Sequence, residues 1–239
     1  MKILLLIVVF VAVVAALPYP WLSDFPSESI DTMMGNFERL ANDNRRTGYF
    51  NSDDYPANSP FKKIIYRQIP QPFKKEIRLP VYLHAKIKRS HLQDLPSRSG
   101  IPSDIYNLLE AKDFRLHDEV GHLLAYSLGG GMENTLNYVP MAICLNRGPY
   151  LKTEQEIGAF LKKEQNGEVD WHLVVIYDKF LRNKQGAFDD SVNLDSYNLR
   201  PIGFCLKYST KTRADARPVN GARKCFFNVL HDSLDAPKN

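Results

Sequence analysis

Between residues 117 and 154 the chain gathers the side chains best suited to chemistry. It reads His117-Asp118-Glu119-Val120-Gly121-His122-Leu123-Leu124-Ala125, then Gly129-Gly130-Gly131, Leu136-Asn137-Tyr138-Val139-Pro140 and Leu145-Asn146-Arg147-Gly148-Pro149, with Glu154 following. An imidazole can take up or release a proton near neutral pH. Carboxamide and carboxylate oxygens suit a hard divalent cation that keeps most of its own water. Such a set could carry out metal-assisted hydrolysis. Other arrangements fail on spacing. A zincin helix needs His-Glu-x-x-His, but His117 and His122 are five residues apart and Glu119 does not directly follow a histidine. The triple glycine is not followed by Gly-Lys-Ser/Thr, so it is no P-loop, and neither Gly-x-Ser-x-Gly nor a Cys-x-x-Cys pair occurs. Taken singly, each residue has a plainer explanation. Asparagine favours turns and caps anyway, a glutamate suits a solvated helix face, and a lone histidine is more often structural.

Taken together, they resemble the core of the DNA/RNA non-specific endonucleases of the ββα-metal (His-Me finger) class. Gly121-His122-Leu123-Leu124-Ala125, Asn137-Tyr138-Val139-Pro140, Leu145-Asn146-Arg147-Gly148 and Glu154 follow that core in order, and the Asn137-to-Asn146 and Asn146-to-Glu154 intervals agree with it. The likeness is detailed over 117–161, with a weaker echo at Arg200-Pro201-Ile202-Gly203-Phe204. It implies His122 as general base, Asn137 as the group that orients it, Asn146 as the direct ligand of Mg²⁺ (or another hard divalent cation such as Mn²⁺), and Glu154 as the carboxylate that holds metal-bound water. The implied partners are DNA and RNA, cut with little sequence preference because backbone phosphates bind without carrying base information.

One position departs from the pattern. The better-characterised branch reads Asp-Arg-Gly-His, and this chain has Glu119-Val120-Gly121-His122. The arginine that the resemblance assigns to the pentacovalent phosphate is therefore Val120, and losing a preorganised donor of that kind costs several kcal/mol of barrier. Arg115 and Arg147 are the candidates to replace it, and Asp118 is a candidate hydrogen-bonding neighbour. The substitution motivates a rival reading, a catalytically impaired nuclease-fold secreted binding protein. A third reading, a toxin domain met by an inhibitor or immunity protein, keeps the chemistry and changes its purpose.

These residues need elements to hold them. Pro149 suits the first position of a helix, Tyr150, Ile157, Phe160 and Leu161 line one helical face, and Asn166-Gly167 closes it. Val169–Tyr177 alternates as a strand, and 199–208 and 223–230 read as further strands. Upstream, 61–98 carries Lys62, Lys63, Arg67, Lys74, Lys75, Arg78, Lys86, Lys88 and Arg89 with apolar residues between them, a pattern of strands with one charged face. A solvated face accounts for the charges, and the segment is also a candidate wall of a nucleic-acid groove. The fold expected is α+β, with a central antiparallel sheet and few helices; the resemblance adds a ββα-metal nuclease core.

The chain as a whole sets the outer bounds. Its 239 residues are 44% hydrophobic and 24% charged, with net charge +4 and a pI near 8.8, so nucleic acid is permitted as a partner but not demanded. Lys2 precedes the apolar run 3–17, which ends in small residues, with Pro18 and Pro20 next. This reads as a secretory signal peptide over 1–16, too short for a bilayer span and cleaved after Ala16, giving a secreted product with no membrane attachment. Residues 17–60, rich in Pro, Asn, Asp and Ser, read as a loosely structured lead-in with a short helix at 33–41, and 61–239 as the nuclease-like domain. In an oxidising compartment Cys144, Cys205 and Cys225 allow three pairings, of which Cys205–Cys225 is favoured with Cys144 left over.

Overall fold

The computed structural model describes residues 47–69, 77–93, 116–131, 134–177, 199–212 and 220–228, with Thr32 and Ile105. The proposed signal peptide and the helix expected at 33–41 lie outside this set. The strands are β1 (Thr47–Asn51), β2 (Phe61–Ile69), β3 (Ile77–Lys88), β4 (Asp118–His122), β5 (Tyr138–Ala142), β6 (Glu168–Ile176), β7 (Gly203–Lys211) and β8 (Asn220–Phe227). The helices are α1 (Ile143–Asn146) and α2 (Pro149–Lys163).

Six strands form one antiparallel sheet in the order β1-β2-β3-β6-β7-β8, and β4 pairs with β5 in a separate ribbon. The chain thus leaves the large sheet after β3, builds β4, β5, α1 and α2, and returns as β6 beside the strand it left. This is the expected α+β architecture: a central antiparallel sheet carrying a ββα unit. Strand β1 belongs to that sheet although it falls within the stretch read as lead-in. It is only five residues long and flanked by Asn, Asp and Pro, too short for alternation to show.

Alternation explains how the layers meet. Trp171, Phe204 and Phe226 share one face of the sheet, and Tyr150 of α2 packs edge-on to all three rings, with centroid distances of 6.4, 6.0 and 5.4 Å. Tyr150, Ile157 and Leu161 are buried along one stripe of the helix, as its periodicity requires. Leu123, Leu124, Val139 and Met141 join the same core, so the ribbon and helix are seated on one side of the sheet. The ends differ modestly from the sequence reading. Helix α2 stops at Lys163, and Gly167 instead closes a turn on the carbonyl of Glu164. Strand β7 begins at Gly203 rather than 199, since Pro201 has no N–H for a ladder. Cys205 and Cys225 lie opposite each other on β7 and β8 and are disulfide-bonded, while Cys144 is exposed outside that bond. No helix among the described residues is long and apolar enough to cross a membrane.

Candidate active site

Strand β4 and the turn after it form the frame of the site, and three neighbouring elements hold that frame. At its start Asp118 is buried and takes a two-pronged ion pair from Arg200, Nε to Oδ2 at 2.8 Å and Nη2 to Oδ1 at 2.6 Å. Arg200 also donates to the carbonyl of Asn228. The Asn228 amide in turn accepts from the Ala142 N–H and donates to the carbonyls of Pro140 and Pro201, tying both strands of the ribbon to the large sheet.

At its far end β4 delivers His122, which pairs in register with Tyr138 and lies with its ring centroid 4.7 Å from the tyrosine ring. The next residues are gripped from two sides. Asn137, fully buried, accepts from the Leu124 N–H at 2.9 Å and donates to the carbonyls of Leu124 and Gly130 at 2.9 and 2.6 Å. Tyr150 of α2 donates its hydroxyl to the Leu123 carbonyl at 2.8 Å, and Glu154, one turn along, accepts from the Ala125 backbone. The tight turn is possible because position 130 is glycine: a Cβ there would lie 1.9 Å from the Leu124 carbonyl oxygen.

Asn146 ends α1 and donates Nδ2 to Oε2 of Glu119 at 2.9 Å, while the other Glu119 oxygen is paired with Arg147. Gly148 after it is also required by close approach, since a Cβ would lie 2.3 Å from the Cys144 carbonyl. The four positions singled out in sequence therefore converge on one stretch of chain. Asn146 is bonded to residue 119, His122 ends the strand, Asn137 holds residue 124 and Glu154 holds residue 125.

Electrostatics distinguishes these groups. Burial lowers the His122 pKa to about 4, and among the described residues neither ring nitrogen has a hydrogen-bond partner. The imidazole is thus neutral with a lone pair available through the physiological range. Burial raises Glu154 to about 8, against the opposing effect of the Ala125 N–H. Its Oε1 is buried with no partner among the described residues. A carboxylate on the apolar stripe of a helix, half unsatisfied, is costly to keep unless something else completes it. Tyr150 beside it is pushed well above the usual phenol range, by burial and then by Glu154.

The donor set fits a hard, hydrated divalent cation. The Glu119 bond occupies Asn146's Nδ2 and does not use its carbonyl oxygen, and the Glu154 oxygen that has no partner among the described residues is an acceptor that a water of hydration would satisfy. The plainer explanation of Glu154 as a solvated side chain is excluded, because it is only 9% exposed. Asn137 is committed to backbone groups of Leu124 and Gly130, so these bonds go to the turn after His122 and not to the imidazole itself. Val120 packs in a small apolar cluster with Ile105 and Tyr138. Arg147 stands beside Asn146 on Glu119, and Arg115 lies outside the described residues. Sequence reasoning passed over Glu119 and the Arg200–Asn228 staple as site-building residues. The signals were present, in the acidic residue preceding Val-Gly-His and in the weak echo at 200–204.

Residues 107–183 match the profile of the DNA/RNA non-specific endonuclease family. This stretch, about a third of the chain, is similar to that family. All four converging positions fall inside it, as do β4, β5 and α2. No curated protein matches the chain. Distant likenesses among solved structures include an extracellular nuclease (15% identity, TM-score 0.40, covering 76% of this chain and 91% of that one). Others are an extracellular endonuclease (14%, 0.43, 80% and 95%) and the Sda1 nuclease with bound zinc ion (11%, 0.43, 80% and 87%).

Proposed function

We propose that the protein is a secreted, metal-dependent endonuclease that hydrolyses phosphodiester bonds of DNA and RNA without strong sequence preference, with Mg²⁺, or Mn²⁺ in its place, as its ion. The observation that carries this reading is the convergence of His122, Asn137, Asn146 and Glu154 on β4 and its exit turn, inside the endonuclease-family stretch. In this scheme His122 takes the proton of the attacking water, which its neutral, desolvated ring is free to do. The anionic phosphate next to it raises the imidazole's proton affinity as the proton moves. Asn146 would hold the cation through its carbonyl oxygen, with Glu119 fixing the amide by its Nδ2. Glu154 would accept from the ion's water shell through the oxygen that has no partner among the described residues. When bound, the divalent ion neutralises charge on the phosphate and on the leaving oxygen. Asn137 positions His122 by locking residues 124 and 130.

A cleft of about 880 Å³ borders the same turn, lined among others by Phe50, Tyr55, Arg78, His91, Tyr126 and Asn134. Aromatic and cationic groups of this kind suit a polynucleotide strand, although the lining does not include His122 itself. The apolar surroundings of Val120 favour a second reading, the nuclease fold retained as a secreted binding protein without turnover. Digestion of plasmid DNA and of RNA under a Mg²⁺ titration separates the two. Cleavage of both that rises with Mg²⁺ and stops with EDTA is the expected outcome. Binding without cleavage, insensitive to EDTA, would favour the second.

A further inference from the structure

On the sheet face opposite α2 lies a cluster that the nuclease chemistry does not use. His84 of β3 and His172 of β6 are paired in register, and their rings stack with centroids 4.2 Å apart and planes 12° apart. Asp170 lies between their tips: Oδ1 is 2.7 Å from Nε2 of His84 and Oδ2 is 3.1 Å from Nε2 of His172. The side chains of His84, Asp170 and His172 are 22%, 38% and 17% exposed, so an ion from solvent can reach them. Because Trp171 packs against Tyr150, its neighbours 170 and 172 must project from the other face, away from His122 and Asn146.

We propose that His84, Asp170 and His172 form a second metal site, selective for a borderline transition ion such as Zn²⁺ over Mg²⁺. Two imidazole nitrogens and one carboxylate oxygen, with room for a water or a substrate oxygen, are the ligand types of an open zinc position. The three candidate ligand atoms lie within 4.8 Å of one another, and zinc takes such ligands at about 2.0–2.2 Å, so small rotations of rigidly seated rings would close the site. The Tyr82 hydroxyl lies 2.8 Å from Nδ1 of His172. A bond there fixes the ring's orientation and leaves Nε2 for the ion, as outer hydrogen bonds on metal-binding histidines commonly do. Mg²⁺ is disfavoured, since it seeks oxygen ligands and gives up its water reluctantly. Lys63 and Lys207, paired in register with His84 and His172 from the flanking strands, oppose any cation. The site therefore depends on strong nitrogen coordination more than on charge. This proposal stands independently of the nuclease reading.

Equilibrium dialysis of the full chain against ZnCl₂ in a large excess of Mg²⁺, with bound metal counted, tests it. The wild type should retain one zinc per chain, and Co²⁺ in its place should give visible absorption of a low-symmetry nitrogen–oxygen site. His84→Ala and His172→Ala should each lose that zinc and that spectrum, while Asn146→Ala keeps both. Should an alanine variant fail the circular-dichroism check for folding, Asp170→Asn keeps shape and hydrogen bonding and should still weaken zinc retention at least tenfold. Wild-type protein that holds no zinc, or folded variants that hold as much as wild type, would show that the cluster is only a hydrogen-bonded ion pair, and the proposal would fall.

Discussion

Two buried carboxylates, Asp118 and Glu154, sit at opposite ends of the same ribbon-and-helix unit, and their surroundings could hardly differ more. Asp118 is met on both oxygens by a single arginine, which is itself held by Asn228. Glu154 receives one backbone N–H and has an oxygen with nothing to accept from among the described residues. A buried charge with its partner in place builds structure. One with a partner missing marks where the molecule meets something that is not protein. On this comparison the Asp118 end is a foundation and the Glu154 end the proposed site, and the two should respond differently to perturbation.

The largest expected change in stability is at the foundation. Arg200→Ala strands Asp118 in the interior and should cost about 3–5 kcal/mol, read from urea unfolding, with no dependence on Mg²⁺. At the other end, the sign of the pH effect follows from Glu154. Its folded pKa, raised to about 8 from 4.5, makes the metal-free protein bind more protons than the unfolded chain between those values. Stability from this group is fully present below pH 4.5 and is lost as pH rises to 8. In EDTA the melting temperature should therefore fall across that window. Mg²⁺ should flatten the fall, and Glu154→Gln should abolish both the fall and the rescue. A wild-type melting temperature indifferent to Mg²⁺ at pH 8 would erase the distinction between the two carboxylates. Smallest in stability is Arg147→Ala. Its exposed pair with Glu119 contributes about 0–1 kcal/mol, but cleavage should drop far more than stability if Arg147 replaces the arginine that Val120 displaces.

The foundation and the site were unequally legible in the sequence. Helix α2 announced itself through apolar periodicity because it buries one stripe, and strands β3 and β6 did so where burial alternates, as at 85–88 and 168–173, with both faces buried over much of the rest. The candidate site residues were visible as a spacing pattern in a family resemblance, although periodicity alone made Glu154 look like a surface residue. Glu154 is buried where the Ala125 backbone reaches it, beside the Leu124 carbonyl that Asn137 holds, a tertiary contact that no local pattern encodes. The Asp118–Arg200–Asn228 staple spans residue separations of 82 and 28 and was hidden for the same reason. Strand β1 was missed because five residues beside proline and aspartate carry too little alternation to register.

The central claim is that His122, poised as a neutral base at the end of β4, removes a proton in the cleavage step. Plasmid cleavage in saturating Mg²⁺, comparing wild type with purified His122→Ala whose folding has been verified, tests it most directly. The account predicts a loss of about 10²–10⁴-fold in the cleavage rate, with nucleic-acid affinity nearly unchanged. A folded His122→Ala protein that nicks plasmid at the wild-type rate would contradict it.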